Sequence, residues 1–242
     1  MSASVLLSCG LSEKFLVPSV FIGESSGVDG TFLISCLLGH QFKHRNTGVL
    51  LVCLHHTFDH YIEAGLKLGY SLAGASERKS LVVHDFLRSV PELTANGVNL
   101  VEKCLQDIVS DLELLGQGKE HTTIILDDVS VFLNLGVSEN VLLNFCRELQ
   151  KFTAWHPRVT LITKINCAEI HGILCNYLYD FANIRLSVKP LESGKFQDVD
   201  GKIIINHKNE DIQNGEKDKV ILYRVNERNI KIFLPGEYSV SG

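Results

Sequence analysis

Ile22-Gly-Glu-Ser-Ser-Gly-Val-Asp-Gly-Thr-Phe-Leu33 joins two apolar segments through a turn of small and polar residues, and this stretch gives the clearest indication of the fold. Residues 17–22 suit a strand, and the apolar residues after the turn recur every three or four positions, as on one face of a helix. A strand, a Gly- and Ser-rich turn and a helix in this order are typical of a phosphate-binding loop, in which backbone N–H groups surround the anion.

This loop lacks the lysine that a working phosphate-binding loop requires. The functional pattern is G-x-x-x-x-G-K-[ST], in which the lysine reaches the terminal phosphates and the hydroxyl holds Mg²⁺. With Gly27 as the second glycine, Ile22 stands at the first glycine, Val28 at the lysine and Asp29 at the hydroxyl position. Glu24 and Asp29 also bring negative charge to a helix N-terminus that favours anions, and Asp29 is able to bond its N–H groups. We therefore expect a tight turn without a nucleotide cofactor, formed by the degenerate loop residues Gly23, Ser25, Ser26, Gly27, Val28 and Asp29.

A second element is the apolar run Thr122–Leu126, which ends in Asp127 and Asp128. In nucleotide-hydrolysing folds an acid at the end of such a strand holds Mg²⁺ or orients water. Polar residues also follow strands where they have no chemical role. The pair therefore indicates the fold more than an activity, and we treat both acids as vestigial.

Strand and helix patterns alternate along the first part of the chain, which predicts a parallel sheet flanked by helices. The predicted strands there are 17–22, 49–54, 81–83, 122–126 and 159–163, and a long helix over 98–115 is expected to end at Gly116. Asn166 is expected to cap a helix that contains Ile170. After about residue 182, the short alternating runs 184–188, 202–205, 220–225 and 230–233 predict antiparallel hairpins. The prediction is one α/β domain over 1–242, with an N-terminal extension over about 1–14 and a mobile hairpin loop over about 206–219.

Composition limits the class of protein. The chain has 242 residues, a formal net charge of −5 and seven cysteines. The cysteines are widely spaced without a C-x-x-C pair, so we expect a reducing compartment, cytosolic or nuclear. No apolar run approaches the ~18 residues of a membrane span, and residues 1–14 lack the order of a secretory signal. The negative charge argues against a stand-alone nucleic-acid-binding protein.

Other candidate sites are weaker. His55, His56 and His60 suggest a metal site, but the sequence lacks the H-E-x-x-H pattern and a nearby third ligand, so a capping or interface cluster is expected and no metal is predicted. Arg78 and Lys79 are candidates for phosphate contacts, with a solvated loop as the default interpretation.

The degenerate loop, the strand that ends in Asp127-Asp128 and the late hairpins together resemble the RecA-like fold, of the P-loop NTPase type. Several short stretches, in the right order, also resemble the sixth-subunit family of the Elongator complex. They are Asp29-Gly-Thr-Phe-Leu-Ile34, Phe58-Asp-His-Tyr61 followed by Leu66-Lys-Leu-Gly69, and Leu126-Asp-Asp-Val-Ser-Val131 followed by Leu135-Gly136. The resemblance covers roughly residues 15–240.

The resemblance implies a subunit that joins the fourth and fifth Elongator subunits in a hexameric ring of RecA-like domains. That family ring binds tRNA and assists wobble-uridine (U34) modification, and ATP hydrolysis is attributed to the ring as a whole. Without the loop lysine, this chain is expected to be a non-catalytic subunit. A subunit of this kind can still supply an arginine to its neighbour, and the candidates are Arg147, Arg158, Arg185 and Arg224. Arg78 and Lys79 are candidates for tRNA contacts.

Two other interpretations stay open. The chain could be an independent nucleotide-dependent ATPase or transferase that uses Asp127 and Asp128 with an unusual loop, or an α/β scaffold in another assembly. Nucleotide binding by the isolated chain separates the first from the ring subunit, and the identity of co-purifying partners separates the second.

Overall fold

Nine strands form one sheet in the computed structural model, which describes residues 2–168, 171–192, 198–208 and 218–234. In chain order they are β1 (Ser19–Glu24), β2 (Thr47–Val52), β3 (Leu81–His84), β4 (His121–Leu126), β5 (Val159–Asn166), β6 (Ile184–Lys189), β7 (Gly201–His207), β8 (Lys219–Asn226) and β9 (Asn229–Phe233). Their order across the sheet is β3-β2-β4-β5-β1-β6-β7-β8-β9. The first six strands pair in parallel, and β6 to β9 pair antiparallel. The predicted α/β class with C-terminal antiparallel strands is confirmed.

Helices cover both faces of the parallel part of the sheet. They are α1 (Ser2–Ser8), α2 (Thr31–Gln41), α3 (Phe58–Leu68), α4 (Leu72–Glu77), α5 (Phe86–Ala95), α6 (Leu100–Leu115), α7 (Ser130–Asn134), α8 (Glu139–Trp155) and α9 (Gly172–Phe181). In β2, Val49 and Leu51 face a core that includes α1 to α4, whereas Leu50 and Val52 face a second core with α5, α6, α8 and α9. Both faces of this strand are buried, which explains its continuous apolar sequence.

The structure confirms the predicted long helix and changes several other boundaries. Helix α6 begins after Asn99, whose side chain accepts a hydrogen bond from the Glu102 N–H. The prediction that Asn166 caps a helix is wrong, because Asn166 pairs with Glu24 as the last residue of β5. Helix α9 instead begins at Gly172, and Ile170 lies outside the described residues. The patterns also missed the short helices α4, α5 and α7.

Residues 2–14 carry more structure than the extension over about 1–14 that was expected from the sequence. Helix α1 packs on α2 and β9, and Val5 and Leu6 are buried in the core below. The helix is too short to show a clear period, which is why the sequence pattern missed it. Of the predicted hairpin loop, residues 209–217 lie outside the described residues.

All seven cysteines are free, and six of them are buried. They pack within or against the two cores. None of the described helices combines the length and the apolar character that crossing a membrane requires.

Helix α1 offers a direct test of its place in the core. Leu6 is 1% exposed and Leu7 is 68% exposed. We predict that Leu6→Ala lowers the free energy of unfolding by about 2–4 kcal/mol, because it removes a buried side chain and leaves a cavity. The control Leu7→Ala should change it by less than about 0.5 kcal/mol. Urea denaturation measures both, and equal stabilities for the two variants would contradict the packing of α1.

Candidate functional site

The candidate site lies at the edge of the sheet where β1, β4 and β5 end. Strand β5 lies between the other two, so it separates the loop that follows β1 from the acids that follow β4. The register pairs Glu24 with Asn166 and Leu126 with Thr163. Glu24, Asp127 and Asp128 therefore meet around the end of β5, at the position where open α/β sheets bind their ligands.

Two carboxylates of the chain itself occupy the N-terminus of α2. The Gly30 N–H donates to Glu24 Oε2 at 2.7 Å, and the Thr31 N–H donates to Asp29 Oδ1 at 2.7 Å. The helix begins after Gly30, so neither Asp29 nor Thr31 is its N-cap residue, although Asp29 does bond the first turn as predicted. The N–H groups and the helix dipole that would stabilise a phosphate thus already hold negative charge.

A lysine outside the loop lies directly behind it. Lys164, on β5, is fully buried, and its Nζ lies 2.9 Å from Glu24 Oε1 and 3.4 Å from Asp128 Oδ2. Burial by itself lowers the pKa of Lys164, but the neighbouring Asp128 and Glu24 outweigh it and hold the pKa above its usual value. No motif in the sequence pointed to this residue. The signal in the sequence was a single charged side chain in the run Val159–Asn166, where every other residue is apolar, Thr or Asn.

Asp127 serves as a buried hydrogen-bond acceptor. It accepts bonds from the N–H groups of Leu54, His55 and His56 at 2.6, 2.9 and 3.1 Å, and from the Tyr61 hydroxyl at 3.1 Å. Successive backbone N–H groups of this kind form an anion-binding concavity. Asp127 fills it and thereby joins the end of β4 to the loop after β2.

Asp128 supports the turn into α7. Its Oδ1 accepts the Ser130 N–H at 2.9 Å and the Ser130 hydroxyl at 2.5 Å, while its Oδ2 faces Lys164. The two acids that the sequence suggested for Mg²⁺ thus point at donors of the protein. Within the described residues, no group of His, Cys, Asp and Glu side chains is arranged to hold a metal ion.

The three histidines lie ring against ring, with only His56 and His60 stacked. The imidazoles of His55 and His56 have centroids 4.3 Å apart, and those of His56 and His60 lie 4.1 Å apart and nearly parallel. Burial and the two neighbouring imidazoles lower the pKa of His56 to about 4. His56 is therefore neutral at physiological pH, and the cluster contributes packing at the start of α3.

A cleft of about 360 Å³ opens beside the loop, between α2, α3 and the β8–β9 hairpin. Phe32, Leu68 and Ile230 supply its apolar lining. Its acidic residues are Asp29, Glu63 and Glu227, against the single lysine Lys67. The cleft is therefore suited to a basic, partly apolar partner segment more than to a nucleotide phosphate.

None of the six basic candidates from the sequence lines this cleft. Arg78 and Lys79 are exposed in the turn between α4 and β3, at the opposite edge of the sheet. Arg185 donates to the Tyr179 carbonyl and to Asn206, and Arg224 pairs with Asp198. Arg147 bonds Asn144 and lies over the ring of Tyr177. Arg158 is exposed just before β5.

We predict that the buried lysine is essential to the stability of this edge. Lys164→Met should lower the free energy of unfolding by about 3–5 kcal/mol, because Glu24 and Asp128 would then face each other without a cation. Adding Glu24→Gln and Asp128→Asn should recover at least half of that loss, since both amides keep the acceptors that Gly30 and Ser130 use.

The measurement is urea denaturation, with the exposed Lys151→Met as the control that should change stability by less than about 0.5 kcal/mol. Wild-type stability in Lys164→Met would show that the lysine does not hold the carboxylates together.

The arrangement of strands is similar to that of a solved protein described as KaiC-like, from the hyperthermophilic archaeon Pyrococcus horikoshii. The TM-score is 0.62, the identity is 11%, and the alignment covers 89% of each chain. The RecA-like fold predicted from the loop and the acidic strand end is confirmed.

Sequence comparisons identify the family. The family model described as Elongation complex protein 6 matches residues 87–227. The Drosophila melanogaster protein named Elongator complex protein 6 is 36% identical over 99% of this chain and 99% of its own length. The Homo sapiens protein of the same name is 26% identical over 86% and 87%, and the Xenopus laevis protein is 25% identical over 87% and 88%. The chain, with its RecA-like sheet and its loop filled by its own carboxylates, belongs to the Elongator complex protein 6 family.

Proposed function

We propose that this chain is a non-catalytic RecA-like subunit of the Elongator complex. In this role it assembles with the fourth and fifth Elongator subunits into a hexameric ring, which binds tRNA and supports modification of the wobble uridine, U34. The proposal places the chain in the cytosol or the nucleus. The names of its relatives support membership of the complex, and the carboxylates at the start of α2 support a role without catalysis.

The single observation that carries the non-catalytic role is the hydrogen bond from the Gly30 N–H to Glu24. A phosphate at this helix N-terminus would have to displace Glu24, which is buried and also paired with Lys164. Displacement would leave the lysine with one carboxylate fewer, and an incompletely paired buried charge is costly. Among the described residues, Lys164 is the only lysine behind the loop. Because it is paired with Glu24 and Asp128, it is not free to bind the β- and γ-phosphates.

The cleft beside the loop supports assembly with neighbouring subunits. In rings of RecA-like domains the nucleotide lies between neighbours, so a subunit with a degenerate loop still presents this region as an interface. Here the region offers apolar surface together with an excess of carboxylates. Leu66, on the adjacent helix α3, is 66% exposed, which suits burial against another subunit.

The alternative, an independent ATPase or transferase that uses Asp127 and Asp128, finds less support. Asp127 already accepts four hydrogen bonds from the protein, and Asp128 is held by Ser130 and Lys164. All four carboxylate oxygens of these two acids already face donors of the protein, and the described residues hold no group of side chains arranged for a metal ion.

We predict that the isolated chain binds Mg-ATP with a dissociation constant no tighter than about 1 mM. Val28→Lys should not restore binding, because Glu24 and Asp29 would still occupy the N–H groups that a phosphate needs. Isothermal titration calorimetry measures both proteins. Binding in the low micromolar range, lost when Asp128 is replaced by Asn, would favour the independent enzyme instead.

A second prediction concerns assembly. Mixed with the fourth and fifth Elongator subunits, the chain should enter one complex with the mass of a six-domain ring, measured by light scattering after gel filtration. The complete ring should bind tRNA more tightly than the chain alone, because several modest sites combine. A monodisperse monomer that stays separate from both subunits would refute the proposed assembly.

The tRNA candidates can be tested in the same complex. Arg78→Ala with Lys79→Ala should lower the affinity of the ring for tRNA and flatten its salt dependence by about one unit of slope per lost phosphate contact. Arg228→Ala with Lys231→Ala, which removes equal charge from exposed positions elsewhere, should leave both quantities unchanged.

A further inference from the structure

The edge of the sheet opposite the candidate site is basic. Strands β1 to β5 are parallel, so the connections that enter them lie along one edge, in the order β3-β2-β4-β5-β1. Lysines and arginines occur in each of these five connections. In strand order they are Arg78 and Lys79, Lys43 and Arg45, Lys119, Arg158, and Lys14. The only acids in the same connections are Glu120 and Glu13, so this edge is positive although the chain has a net charge of −5.

Most of these cations are available to a ligand. Lys14 pairs with Glu120 at 2.6 Å. Within the described ranges, the side chains of Lys119 and Arg158 form no ion pair and no hydrogen bond. The two residues line the same groove, of about 620 Å³, between the end of α6 and the end of α8. Glu113 is the one carboxylate in its lining.

Aromatic side chains lie beside these cations. Trp155, the last residue of α8, is 82% exposed and lines the groove. His156 follows it and stacks on Phe152 with centroids 4.1 Å apart, and its Nδ1–H donates to the Phe152 carbonyl at 2.7 Å. These two contacts hold the imidazole of His156 in place. Phe15 lies along the same edge, where its ring contacts the ring of His121 and has the Lys14 ammonium above it.

We propose that this groove binds an unpaired stretch of RNA. A base stacks on the exposed indole of Trp155, and the phosphates on either side are contacted by Lys119 and Arg158. Base–aromatic stacking next to a positively charged groove is the general means by which proteins hold single strands. A protein segment would gain little from this combination unless it were acidic, whereas an RNA strand uses both the aromatic surface and the cations.

The sequence alone shows no such site, because its parts are far apart in the chain. Lys119 and Arg158 are brought together by the pairing of β4 with β5, which places the residues before each strand side by side. The inference deepens the proposed tRNA role, on which it rests for the identity of the RNA. It adds the contact surface on this chain, and the remaining basic residues of the edge extend from it towards Arg78 and Lys79.

The chain contains a single tryptophan, so Trp155 reports on the groove directly. The experiment titrates the full-length chain with single-stranded hexauridylate at low salt and follows tryptophan emission. We expect saturable quenching, and weaker binding of a blunt RNA duplex of equal length, whose bases are already stacked. Unchanged emission up to 1 mM oligonucleotide, or equal binding of the duplex, would overturn the proposal.

Variants separate stacking from charge, with the fluorescence anisotropy of labelled hexauridylate as the readout. Trp155→Ala should weaken binding about tenfold. The double variant Lys119→Ala with Arg158→Ala should weaken it further and reduce the slope of log K against log salt by about 1.4, or about 0.7 per lost phosphate contact. The control Arg228→Ala with Lys231→Ala removes the same charge elsewhere, and an equal effect of the control would refute a specific groove.

This test and the test of assembly fail independently. Quenching by hexauridylate in a chain that does not join the fourth and fifth subunits would leave the groove established and refute the ring. A chain that joins them, but whose Trp155 emission responds to the partner subunits and not to RNA, would leave the ring established. In that case the groove would be a protein interface and the proposal would be wrong.

Discussion

The buried ion pairs of Lys164 hold together the edge of the sheet where β1, β4 and β5 end. One ammonium group lies between Glu24, at the end of β1, and Asp128, after β4. Both carboxylates are also hydrogen-bonded to backbone N–H groups at the start of a helix or turn. A buried charge is tolerated only when it is paired and its remaining hydrogen bonds are satisfied. The three side chains thus hold the loop after β1, strand β5 and the turn after β4 in one arrangement.

In the same region the protein fills its backbone anion sites with its own carboxylates. Two backbone anion sites remain at this edge, one at the N-terminus of α2 and one in the loop after β2. Glu24 and Asp29 occupy the first, and Asp127 occupies the second. Side-chain carboxylates supply the negative charge that such N–H groups stabilise. The local backbone geometry therefore persists because the protein provides its own anions.

The edge where the parallel strands end and the edge where they begin differ in charge. The net charge of the whole chain does not show this difference. Acids concentrate where the strands end, and lysines and arginines concentrate where they begin. The acidic edge carries the cleft that suits a neighbouring subunit, and the basic edge carries the groove around Trp155. A subunit with this polarity can take part in an assembly through one edge and leave the other open to a phosphate-bearing ligand. Both of these proposed roles need only binding surfaces.

The α/β class, the degenerate loop and the strand that ends in two acids could be predicted from the sequence, because these features depend on local periodicity and on single positions such as Val28. The sequence also indicated that Asp29 could bond the first turn of α2. The partners of the buried groups could not be predicted in this way, because they depend on the fold of the whole chain. Lys164 is distant in the chain from Glu24, and Lys119 from Arg158, so their contacts follow from which strands are neighbours. Strand order arises from packing across the whole sheet, and no local pattern encodes it.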